Sequence, residues 1–181
     1  FPRMSARVLA LRSPAPSFEP LSLDARAAAL DAAAQALSAE AIVARAIEEF
    51  YGRIALVSSF GAEAAALLHI VAKVDRTTPV VFLDTGKHFA QTISYREDLA
   101  RQLGLTDVRD IRPNPEEAAR EDPKGDLWRR DNDACCALRK VRPLADTLAG
   151  FDAWFTGRKR VHGGRRAFLP IVEAAAPHIQ I

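Results

Sequence analysis

A chain of 181 residues with 49% apolar side chains has enough material for one buried core. Its formal net charge of +2 is too small to point to nucleic acid, and no apolar run approaches the ~18 residues of a membrane helix. Its only cysteines, Cys135 and Cys136, are adjacent, which excludes a disulfide framework and makes a structural vicinal bridge an unfavourable, strained alternative.

No signal-peptide pattern opens the chain, so a cytoplasmic location is the expectation. Residues 1–21 hold Pro2, Pro14, Pro16 and Pro20 without sustained periodicity and are expected to form a mobile arm; residues 22–181 follow as a single domain. Residues 23–37 are alanine-rich and helical in propensity. Ser38 is an N-cap for a second helix over 39–51, with Glu40 in its first turn, a stripe of Val43, Ala46, Ile47 and Phe50, and Gly52 as its stop. The run 54–57, Ile-Ala-Leu-Val, reads as a strand. It passes through Ser58-Ser59-Phe60-Gly61 into a helix over 62–73, where Ala64, Leu67, Leu68 and Val71 recur at helical spacing. Such a loop presents backbone N–H groups at the positive end of a helix, which suits a phosphate or sulfate. Gly61 permits close approach of an anion, and Ser58 and Ser59 add hydroxyls. An ordinary strand–helix connection has the same outline.

Pro79 introduces a second strand over 80–83, apolar throughout, as expected of a strand covered on both faces. It ends in Asp84-Thr85-Gly86, before a helix over 89–103 that Gly104 closes. A weaker strand follows at 108–111. Residues 113–126 are polar, and Pro115 and Pro123 are expected to limit regular structure there. Residues 131–148 are helical in pattern, kinked or divided at Pro143. Strands are expected at 151–155, ending in Thr156-Gly157-Arg158, and at 168–172. Strands alternating with helices indicate an α/β fold with a mainly parallel sheet and helices on both faces. In such sheets ligands bind at the carboxyl ends of strands, which is where the turns 58–61, 84–86 and 156–160 fall. Three convergent turns, one of them basic, suit a nucleotide with an anionic tail. His69 and His88 have no partner spacing that argues for a metal.

Four stretches in order resemble the assimilatory sulfonucleotide reductases, the adenylyl-sulfate and phosphoadenylyl-sulfate reductases. They are Ser58-Ser59-Phe60-Gly61-Ala62-Glu63, Leu83-Asp84-Thr85-Gly86-Lys87, Cys135-Cys136-Ala137-Leu138-Arg139-Lys140 and Trp154-Phe155-Thr156-Gly157-Arg158. The resemblance covers about residues 38–172. It implies an adenine-nucleotide α-hydrolase-like fold, with Ser58, Ser59, Phe60, Gly61 and Glu63 forming a modified pyrophosphate loop. It implies that Leu83, Asp84, Thr85 and Gly86 hold the nucleoside, and that Gly157, Arg158, Arg160 and Arg165 hold the phosphosulfate. It implies Lys140 and Arg158 in supporting catalytic roles, and Cys135 and Cys136 as two thiolate ligands of a 4Fe–4S cluster. Either Arg139 or Lys140 would offset the charge of that cluster. The implied reaction is thiolate attack on the sulfate sulfur, then release of sulfite by thioredoxin or glutaredoxin. A homo-oligomer is compatible with this, and no membrane or nucleic-acid partner is expected.

The chemistry of the residues agrees with those roles. A phosphosulfate is strongly anionic, so backbone N–H groups and guanidinium forks should dominate its binding. Breaking its S–O bond leaves charge on the nucleotide phosphate, which Arg158 or Arg160 could stabilise. Arg165 follows Gly163 and Gly164, a pair suited to a closing loop. A solvated basic surface is the plainer use of these arginines, and Glu63 in a first helical turn needs no ligand to explain it. The family's nucleophile is a cysteine in a C-terminal tail, and its cluster needs a second cysteine pair. Neither occurs in these 181 residues, so the reductase domain is expected to be incomplete at its C-terminus. Two other readings stay open: an adenine-nucleotide-binding module without catalysis, and an ATP-pyrophosphatase-type adenylating enzyme. Ala64 argues against the second, because that wider class usually has a serine there.

Overall fold

The computed structural model describes residues 20–158 and 169–181. One six-stranded sheet has the order β3-β2-β1-β4-β6-β5, where β1 is Ile54–Val57, β2 Val80–Leu83, β3 Val108–Ile111, β4 Ala153–Phe155, β5 Glu173–Ala175 and β6 His178–Gln180. Every pairing is parallel except β5 with β6. The chain runs outward from β1 through β2 to β3, then returns to place β4 on the other side of β1. That reversal is a topological switch point, where a crevice opens at the strands' carboxyl ends.

Alternation along the strands separates two faces. Ile54, Leu56, Val80, Phe82, Ala153 and Phe155 share one core with the helices α1 (Leu23–Ala34), α2 (Ala39–Glu49), α3 (Ala65–Val74) and α4 (Ala90–Leu103). Ala55, Val81 and Val57 point the other way, with Leu144, Leu148 and Phe151 from α8 (Arg142–Leu148) and the turn after it. Helices therefore cover both faces, and the central strands β1 and β2 read as continuous apolar runs for that reason.

Local signals account for most helix ends. Ser22 and Ser38 cap α1 and α2, accepting from Ala25 N and Ala41 N at 3.2 Å. The α2 stripe of Val43, Ala46, Ile47 and Phe50 is buried, as expected. Gly104 closes α4 in the left-handed conformation at φ 67°.

Two expectations need correction. Residues 113–126 contain a helix, α5 (Pro115–Glu121). Asn114 caps it, Pro115 occupies its first turn where a missing N–H costs nothing, and Glu116 and Glu117 face the positive end of its dipole. Proline here starts a helix instead of preventing one. The strand expected at 168–172 also lies later: Phe168 is outside the described residues, and the strands are β5 and β6, a hairpin joined at Ala176-Pro177. Pro170 lacks the ladder donor a strand needs. The arm expected at 1–21 falls mostly outside the described residues.

Among the described residues, no helix is long and apolar enough to cross a membrane.

Candidate functional site

Because β2, β1 and β4 are parallel neighbours, their terminal turns stand side by side on one edge of the sheet. The turn after β1 is built from its own side chains. Ser58 Oγ, buried, accepts from Phe60 N at 3.1 Å, and Ser59 Oγ accepts from Gly61 N at 3.4 Å. Phe60 has φ 53°, a left-handed conformation that ordinary residues avoid. Its ring is only 1% exposed and meets Phe82 edge-on, with centroids 5.8 Å apart. Phe60 thus offers a ligand its backbone, while its side chain belongs to the core. The N-cap position of α3 is Ala64, which has no side-chain acceptor to offer the first-turn amides beside the loop. Glu63 lies exposed in the turn leading into that helix.

The turn after β2 is tied down from several directions. Asp84 accepts from Gly86 N at 3.0 Å and pairs with Arg112 Nε at 2.9 Å. Burial acts to raise the Asp84 pKa, but the Gly86 N–H, Arg112 and His88 outweigh it and hold the carboxyl below the usual aspartate range. Thr85 is buried, and its Oγ1 accepts from Lys87 N at 3.3 Å. Gly86 has φ 69°, which a side chain would strain. His88 Nε2 lies 2.9 Å from the Leu83 carbonyl, so that nitrogen carries the proton, and its ring packs on Phe82. Lys87 Nζ donates to the Gly125 carbonyl at 2.8 Å.

The cysteines reach this same turn. Helix α7 (Asn132–Cys136) is capped by Asp131, whose side chain accepts from Ala134 N. It widens into a π-helical turn at Ala137–Val141 before α8. Arg142 N donates to the Ala137 carbonyl, the five-residue reach that defines a π turn. Pro143 explains the change, since it cannot donate to the residue four before it and its ring crowds that carbonyl. The expected break therefore comes directly after the cysteine pair. Both cysteines are free; Cys135 is buried and Cys136 partly exposed. They line a cavity of about 620 Å³ with Thr85, Lys87, Arg139 and Lys140. Among the described residues, no group of three or more His, Cys, Asp or Glu could hold a metal ion.

Arg158, beyond β4, occupies a different cavity, of about 240 Å³, and pairs with Glu173, which also accepts from Gln180 Nε2 at 2.9 Å. Gly157 is exposed beside it. The structure therefore joins Thr85, Cys135, Cys136 and Lys140 in one cavity and sets Arg158 in another. Arg160 and Arg165 lie outside the described residues.

Sequence reasoning missed Asp122, Arg112 and Glu173 at this edge. Asp122 is fully buried under Arg139, with a 2.6 Å ion pair that draws its pKa below the usual range. These partners sit 17, 28 and 15 residues apart along the chain, beyond any local periodicity.

A family model described as the phosphoadenosine phosphosulfate reductase domain matches residues 53–181. A protein of Mesorhizobium japonicum named adenosine 5'-phosphosulfate reductase is 51% identical over 158 residues, which are 87% of this chain and 62% of that protein. One of the same name from Chelativorans sp. is 48% identical over 165 residues, 90% of this chain and 67% of that protein. The chain thus spans about two thirds of the length of these relatives. The crystal structure of phosphoadenylyl-sulfate (PAPS) reductase from Candida auris, a phosphate complex, shares the fold with a TM-score of 0.70. It is 24% identical, and the match covers 90% of this chain and 80% of that one. With the family model matching residues 53–181 and these relatives about half identical, the chain belongs to the phosphoadenosine phosphosulfate reductase domain family.

Proposed function

We propose that this chain is the nucleotide-holding part of an adenylyl-sulfate reductase that uses thioredoxin or glutaredoxin as electron donor in sulfate assimilation, in the cytoplasm. The observation that carries the reading is the adjacency of three strand-end turns at one sheet edge, with the cysteine cavity opening beside one of them. The names of the relatives support the same chemistry.

Ser58, Ser59, the Phe60 backbone, Gly61 and Glu63 form the anion loop, and Leu83, Asp84, Thr85 and Gly86 hold the nucleoside. Gly157, Arg158, Arg160 and Arg165 take the phosphosulfate. A cysteine thiolate from outside these 181 residues attacks the sulfate sulfur, the S–O bond to the nucleotide breaks, and AMP leaves with the electron pair. Arg158 stabilises that developing charge, and Lys140 lies between the cysteine cavity and the sulfate. The resulting S-sulfocysteine is reduced by a dithiol donor, which becomes a disulfide and frees sulfite.

Cys135 and Cys136 are two thiolate ligands of a 4Fe–4S cluster. Two thiols in one cavity, flanked by Lys87 and Lys140, fit an anionic cluster in donor type and charge, though they are half the four thiolates such a cluster takes. When bound, the cluster would tie segment 113–138 to the rest of the fold, since metal binding and folding are coupled. In the family that the sequence resembles, paired cysteines usually accompany the substrate without a 3'-phosphate, and the resemblance therefore favours adenylyl sulfate as the nucleotide. Turnover of both sulfonucleotides by the full-length protein, compared as kcat/KM, tests this. A clear preference for the 3'-phosphorylated form would reverse the substrate assignment, and turnover of neither would leave a binding module.

A further inference from the structure

Arg139 stands where the cysteine-bearing segment meets the β2 turn. Its Nη1 donates to the Thr85 carbonyl at 2.8 Å, and its Nη2 pairs with Asp122 Oδ2 at 2.6 Å. The other Asp122 oxygen accepts from Leu127 N at 2.9 Å, at the start of α6 (Leu127–Arg130). The arginine side chain is 11% exposed and the aspartate 0%. Arg139 Nε is buried without a hydrogen-bond partner among the described residues, so its two Nη bonds are what hold it. A buried guanidinium held in this way is committed, because letting either bond go leaves a desolvated charge or an unpaired carbonyl. Arg139 is therefore occupied with the protein and does not act as a mobile counter-ion of the cysteine cavity.

We propose that Arg139 is a positioning residue for nucleotide binding, a rigid tie that fixes the Asp84–Gly86 turn through the Thr85 carbonyl and couples that turn to the Asp122–Arg130 segment beside Cys135. The inference rests on the reading that a nucleotide occupies that turn. It follows from the geometry of the fork: a planar guanidinium can hold a carbonyl and a carboxylate at fixed spacing, and an ammonium on a flexible stem cannot hold both in the same register. Nucleotide bound at the turn then restrains residues 122–130, which meet it through the Arg139 fork and through the Lys87 Nζ bond to the Gly125 carbonyl.

The test uses full-length protein, with AMP as the probe. In wild type, AMP should slow amide exchange in residues 122–130 as well as in 58–63 and 83–88. Arg139→Lys should recover most of the thermal stability lost in Arg139→Met, because it keeps a charge for Asp122, yet bind AMP about tenfold more weakly than wild type. In that variant AMP should protect residues 122–130 clearly less than in wild type, because the Arg139 fork is lost while the Lys87–Gly125 bond remains, with protection of 58–63 and 83–88 retained. A merely structural arginine would make affinity follow stability across both variants, and that result overturns the inference. If neither variant folds, the wild-type exchange map decides: protection by AMP that stops at residue 88 also overturns it. Failure of wild type to bind AMP removes the nucleotide reading itself, which is a different outcome from binding without coupling.

Discussion

Phe60 permits a test of how the loop after β1 acquires its shape. The residue takes φ 53°, and the energy that holds it there comes from a ring 1% exposed against Phe82. Phe60→Ala removes that ring and should cost about 3–5 kcal/mol. For a chain of this length that lowers the melting temperature by roughly 6–20 °C. Alanine also keeps a Cβ in the left-handed region, which costs roughly 1–2 kcal/mol. Glycine has no such penalty, but it loses roughly 0.5–1 kcal/mol more backbone entropy on folding. Phe60→Gly should therefore be as stable as Phe60→Ala or more so, the reverse of their order at an ordinary position. Both variants should bind AMP more weakly, because the loop that the Phe60 ring anchors to the core no longer has a fixed shape. Urea unfolding of the three proteins, with calorimetric AMP titration at a temperature where all are folded, makes the comparison. The reasoning fails if Phe60→Gly is less stable than Phe60→Ala by about 1 kcal/mol, since the positive φ would then not be imposed by the fold. It also fails if AMP affinity survives loss of the ring.

Arg158→Ala should weaken AMP or phosphosulfate binding by about 1–3 kcal/mol, as for loss of a hydrogen bond to a charged group; unchanged calorimetric affinity would take Arg158 out of the site. Anaerobically purified full-length protein should contain iron and acid-labile sulfide, reduced in Cys135→Ser, with faster proteolysis of segment 113–138 in the variant. A colourless, iron-free and active wild type would end the cluster assignment. Asp75 should contribute to acid sensitivity. The Thr77 hydroxyl, at 2.7 Å, outweighs burial, and with the Thr77 N–H and the Thr78 hydroxyl it lowers the folded-state pKa. A lowered pKa gives stability that is complete above the unfolded value of about 3.9 and is lost as pH falls through the folded one. Asp75→Asn should thus flatten the loss of stability between neutral pH and pH 3 in urea titrations, and an unchanged acid limb would show that Asp75 has no part in it.

The strands 54–57, 80–83 and 108–111 and the caps Ser38 and Gly104 were legible along the chain because each is a local matter. The central strands β1 and β2 are apolar throughout because both faces are covered, the edge strand β3 keeps only Val108 and Ile111 partly buried, and a helix end must satisfy its own amides or carbonyls within a few residues. The turn after β1 was legible as a turn for the same reason, since its serines bond to amides two residues on. Residues 113–126 show the limit of local reading, because a proline at a helix start and one that breaks a helix look alike until the cap at Asn114 is seen to engage. What the tertiary structure alone decided is which distant groups complete the edge. The parallel order β2-β1-β4 sets three turns side by side, and the π turn at Ala137–Val141 puts Arg139 between Thr85 and Asp122. Arg158 likewise meets Glu173 only because β4, β6 and β5 pair across the sheet. These partners are joined by burial and charge across tens of residues, and neither force leaves a periodic trace in the sequence.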